Sequence, residues 1–120
     1  MGMLRAAAVT AGAFLTATIA LAVGDIPTMY VGSFPSLPQQ MSGPITGTFN
    51  GTRLVIKGFG PRTGIATTGR YACRRTSPTQ TNCDGAITKA DGTPFDNNRG
   101  PHFLEITWSA GRPVAMTGHH

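Results

Sequence analysis

Glu105, Arg112 and three histidines, His102, His119 and His120, are the side chains whose types best suit catalysis. A carboxylate, a guanidinium and an imidazole can move a proton and hold an anion, which acid–base attack on a phosphodiester requires. Glu105 and Arg112 flank Ala110-Gly111, so a hairpin there sets them on adjacent strands where they could face one another. A cross-strand ion pair accounts for both residues with less. The spacing holds no histidine beside Glu105. Serine hydrolase chemistry lacks its elbow, since no serine lies in a G-x-S-x-G run.

Arg70, Arg74 and Arg75 concentrate positive charge in a different way. In an extended segment Arg70 and Arg74 project from one face. Arginine grips carboxylate and phosphate with a two-pronged fork. An anionic envelope polymer or an acidic protein surface is the partner this cluster suits. The same charges would also keep a strand edge soluble.

Three other constellations have plainer explanations. Gly58-Phe59-Gly60-Pro61-Arg62-Thr63-Gly64 lacks the glycine spacing and the following helix of a dinucleotide fingerprint, so it reads as a loop. Asp91–Asn98 offers acidic and amide oxygens but no EF-hand spacing and no closing glutamate; Asp and Asn are ordinary turn formers. Asn50-Gly51-Thr52 matches the N-glycosylation sequon, and an Asn-Gly hairpin turn explains it equally. The sequence implies no metal and no cofactor.

Cys73 and Cys83 are the only cysteines. In an oxidising compartment an even pair bridges, here around a short polar loop. Zinc sites use tighter spacing and four ligands.

The compartment follows from the start of the chain. Arg5 supplies a positive charge, Ala6–Val23 carries none, and small residues close the run. That order is a signal peptide over residues 1–22, cut after Ala22 or after Gly24. The run is short and diluted by Thr10, Thr16 and Thr18, unlike a spanning helix of about 20 apolar residues. No stable membrane insertion is expected after cleavage, and the product is exported, to a periplasm or as a secreted protein. Cleavage removes Arg5, leaving nine basic against five acidic side chains, a net +4. Such an excess suits polyanionic partners.

The mature chain divides into a Pro-rich extended arm, residues 23–44, and a β domain, residues 45–120. Pro27, Pro35, Pro38 and Pro44 rule out a helix in the arm. Its Met29, Tyr30, Phe34 and Leu37 predict that it lies against the domain, with a short edge strand over Thr28–Val31. Beyond it, short apolar–polar alternations recur between turn signals: Asn50-Gly51, Asp91-Gly92 and Ala110-Gly111. Ser77–Asn82, with Pro78, reads as a loop. Six to eight strands predict an all-β fold, a small antiparallel up-and-down barrel or meander after an N-terminal signal helix, with a two-sheet β-sandwich as the alternative. The expected core is Leu54, Ile56, Tyr71, Ile87, Leu104, Ile106, Trp108, Val114 and Met116. Absence of catalytic motifs favours a non-enzymatic domain that binds an envelope component or a partner protein. The alternative is a small nuclease-like hydrolase using Glu105 with a histidine.

Overall fold

A computed structural model describes residues 25–38, 40–94 and 102–119. The expected signal helix, its cut after Ala22 or Gly24, part of the Asp91–Asn98 run and His120 lie outside the described residues. Seven strands form one antiparallel sheet in sequence order. They are β1 (Tyr30–Phe34), β2 (Ser42–Phe49), β3 (Arg53–Phe59), β4 (Ala66–Ser77), β5 (Gln80–Lys89), β6 (Phe103–Ser109) and β7 (Arg112–His119). The fold is all-β, an up-and-down meander curled into a half-barrel.

Period-two alternation builds the curl. Leu54, Ile56, Leu104, Ile106 and Trp108 are buried, while Arg53, Lys57 and the intervening residues face outward. On the inner face the Trp108 ring contacts those of Tyr30, Phe34 and Phe49, and Tyr30 contacts Phe34, with centroids 5.0–6.4 Å apart. Such pairs contribute about 0.5–1.5 kcal/mol each beyond area burial. The Trp108 indole N–H donates to Thr81 Oγ1 at 3.0 Å, so the one polar atom of the ring is satisfied inside the core.

Glycine lets the strands bend this tightly. A Cβ at Gly85 would overlap the Arg70 carbonyl oxygen, and the Tyr71 ring fills the space above it. A Cβ at Gly47 would overlap the Val55 carbonyl oxygen. Both positions point inward, where a side chain would force the neighbouring strand away.

The segment read as an arm contributes to the sheet. Its strand begins two residues later than expected, and residues 30–34 pair with β2. Phe34 and Leu37 are buried, as their apolar character predicts, and so is Met41, whereas Met29, before the strand begins, is 58% exposed against expectation. Leu37 accepts hydrogen bonds from the amides of Gln40 and Met41, which close the turn after Pro38.

Three local expectations are corrected. Ser77–Asn82 is not a loop: β4 and β5 run almost to a tight turn at Pro78-Thr79, and Thr81 and Cys83 are core residues. The cross-strand disulfide and the Trp108 bond hold these polar residues in the ladder. Asn50-Gly51 is not a pair of left-handed turn residues, the form in which an Asn-Gly hairpin usually turns: only Gly51 has a positive φ. Asn50 occupies the corner, its amide bonded to the Arg53 carbonyl, and Gly51 follows it at φ 98°. The Asn50 carboxamide instead caps the turn, accepting from the amides of Thr52 and Arg53. Val114 is not core but 55% exposed. Thr107 pairs with Ala115 while Trp108 pairs with Pro113, so Val114 is the extra residue of a bulge. The bulge puts Pro113 and Met116 inside and turns Val114 out.

Candidate functional site

Each arginine named from the sequence lies in β4. Arg70 and Arg74 share the outer face of the sheet with Ala72. Arg75, the next residue, points to the opposite side, where its Nε–H donates to the Ser77 carbonyl at 3.2 Å. The structure therefore brings Arg70 and Arg74 together and sets Arg75 apart.

Two cations of β3 take its place. Val55 pairs with Arg70 and Arg53 with Ala72, so Arg53 sits diagonally between Arg70 and Arg74. Lys57 pairs with Thr68 and lies diagonal to Arg70. The order along the outer face is Lys57, Arg70, Arg53, Arg74, alternating between the two strands. Diagonal neighbours on one face are about 7–8 Å apart. All four side chains are exposed.

Arg74 is the only one of the four with an ion pair among the described residues. Its partner is Asp84 at 3.9 Å, and the two side chains are 70% and 65% exposed. At that exposure the pair contributes little and yields readily to another anion. Asp84 stands opposite Ala72 on β5, within the ladder and on the rung that Ala72 shares with Arg53.

Period two and the alternation of Arg53 and Lys57 with Leu54 and Ile56 were signals that these two cations face outward. What the sequence could not supply was the register between β3 and β4, set across the turn-rich connection 60–65. The Gly60 amide donates to the Ile65 carbonyl and the Gly64 amide to the Gly60 carbonyl, fixing that connection.

The carboxylate cluster is rearranged too. Glu105 pairs with Thr117 and Arg112 with Ser109, so the two stand at different ends of the β6–β7 hairpin and do not face one another. Four residues of strand separate their rungs, about 13 Å. The histidine that reaches Glu105 is His119, with Nε2 at 3.4 Å from Oε1. Its ring also lies 5.7 Å from the Phe103 ring. His102 joins this corner only through its backbone, donating its amide to the His119 carbonyl at 2.9 Å. Glu105 and His119 are about half exposed, at 44% and 50%, on an open sheet surface.

The cysteines do join. Cys73 and Cys83 face one another directly across β4 and β5 and form a disulfide. The bridge is compatible with an exported or otherwise oxidising compartment.

Comparison with protein-family models, curated proteins and solved structures finds no match to this chain.

Proposed function

We propose that this chain is an exported, non-enzymatic β domain that binds a linear anionic polymer of the cell envelope along the outer face of β3 and β4. The observation that carries the reading is the alternating row Lys57, Arg70, Arg53, Arg74, three of whose members have no ion pair among the described residues. A row of cations along two paired strands matches a polymer that repeats its charge, with each exposed side chain giving up rotamer freedom on binding. Arginine at three of the four places favours phosphate or carboxylate groups held by paired hydrogen bonds.

The test uses sodium polyphosphate, a linear polyanion without sugar or base, and the exported protein. Affinity is measured across a salt series. Binding is expected to weaken as salt rises, because exposed charges are screened. Replacing Arg53 and Arg70 with glutamine should reduce affinity about tenfold or more, the equivalent of about 1.4 kcal/mol. Arg75→Gln, on the other side of the strand, should change nothing. An unchanged affinity in the Arg53/Arg70 variant, or an equal loss in Arg75→Gln, refutes the reading.

A second reading, a small hydrolase, draws on the Glu105–His119 contact at 3.4 Å. A carboxylate beside an imidazole can act in proton transfer. Its test is turnover of RNA by the wild type and by Glu105→Gln. Turnover in the first and its loss in the second would favour the hydrolase over the binder.

A further inference from the structure

Beside the cation row lies a shallow groove of about 270 Å³, lined by Val31, Gly32, Thr46, Gly47, Thr48, Val55 and Lys57. The register explains how it joins the row. Val31, Thr48, Val55 and Arg70 form one rung across β1 to β4, and Ser33, Thr46, Lys57 and Thr68 form the next. Lys57 belongs to both features, and Arg70 stands one strand beyond the Val55 wall.

The lining is of three kinds. Val31 and Val55 offer methyl groups, and Val31 is 71% exposed. Thr46 and Thr48 offer hydroxyls that make no hydrogen bond among the described residues. Gly32 and Gly47, paired between the two rungs, give only backbone to the floor. Lys57 closes one end with a charge. Methyl groups for C–H faces, free hydroxyls for hydroxyls and an ammonium for an acidic substituent make up the complement of an acidic sugar ring.

We propose that the groove is a sugar subsite, and that the polymer held by the cation row is an acidic polysaccharide whose rings settle beside it. This rests on the polyanion reading and narrows it to one ligand class. A bare polyphosphate would use the cations and leave the groove empty. A single-stranded nucleic acid would look for aromatic platforms on which to stack its bases. The groove has none. Phe59, one rung beyond Lys57 on the same face, lies over Gly43 instead.

The experiment compares three probes at one salt concentration: an oligogalacturonate, sodium polyphosphate and oligodeoxythymidylate, matched in charge. It uses the exported protein and the double variant Thr46→Val/Thr48→Val, which keeps side-chain shape and strand preference while removing both hydroxyls. The uronate oligomer should bind most tightly. The double variant should lose about tenfold in affinity for it and none for polyphosphate. Equal affinity of wild type and variant for the uronate overturns the sugar subsite and leaves the cation row standing. Tighter binding of oligodeoxythymidylate overturns it in favour of nucleic acid. Failure of the wild type to bind polyphosphate brings down the cation row, and the sugar subsite with it.

Discussion

Reduction of the Cys73–Cys83 bridge should cost this domain a large share of its stability. The two cysteines are ten residues apart in sequence and directly opposite in the β4–β5 ladder. In the folded state that ladder holds them together whether or not they are bonded, with rungs on both sides of them. The covalent link therefore acts mainly on the unfolded chain, by closing a loop of about 11 residues. The chain-entropy relation gives about 2.8 kcal/mol for a loop of this size. For a domain of this length each kcal/mol moves the melting temperature by about 4–8 °C, so the shift is about 11–22 °C. The assay is thermal unfolding followed by circular dichroism, with and without a thiol reductant. The control is Cys73→Ala/Cys83→Ala, which should melt low and ignore the reductant. Cys83 is fully buried, so that variant also loses packing and should melt somewhat below the reduced wild type. If reduced and oxidised wild type melt within about 4 °C of each other, the argument fails. The unfolded chain would then already hold this hairpin together without the bond.

Burial pushes the Tyr71 phenol well above its usual value. The folded domain keeps the proton where the unfolded chain releases it, so stability is intact below about pH 10 and falls above it, by up to about 1.4 kcal/mol per pH unit. Tyr71→Phe should flatten that alkaline slope in denaturant titrations; an unchanged slope would show that the phenol is not its source. Thr81→Val keeps the shape but strands the Trp108 indole N–H inside the core, at a cost of about 1–3 kcal/mol in urea unfolding. Gly85→Ala sets a methyl against the Arg70 carbonyl and the Tyr71 ring, and should destabilise by about 3 kcal/mol or prevent folding. Ala110 sits at φ 52° in the β6–β7 turn, a left-handed conformation costing about 1–2 kcal/mol for a residue with a Cβ. Ala110→Asn should raise the melting temperature, provided the amide still donates to Asp25 Oδ1, as it does at 3.1 Å in the native turn.

The parts of the molecule legible in the sequence are those that depend on near neighbours. The alternation in Phe103–Ser109 announced a strand and its buried face, and Leu104, Ile106 and Trp108 are inside. Arg70 and Arg74 were placed on one face by spacing alone. Two cysteines among turn signals announced their own bond. The failures have a common form. Val114 was assigned inward by the same period-two rule, and a single extra residue opposite Thr107 and Trp108 reversed it. Flanking one turn lets Arg112 and Glu105 face one another, but the register places them at different ends of the hairpin. Arg75 was grouped with its sequence neighbours, and the pleat sent it to the other side.

Composition and pattern alone determined that this chain makes an all-β meander around Trp108, with its charge excess carried mostly by arginine. Side-chain alternation is local, so it survives without knowledge of the partner strands. Tertiary structure alone decided which charges meet. The offset of each strand against the next brought Arg53 and Lys57 into line with Arg70 and Arg74, and put the Val31–Val55 groove at their side. That offset arises from turn geometry, from one bulge and from inward glycines whose absent side chains let strands close up, acting between residues far apart in the chain.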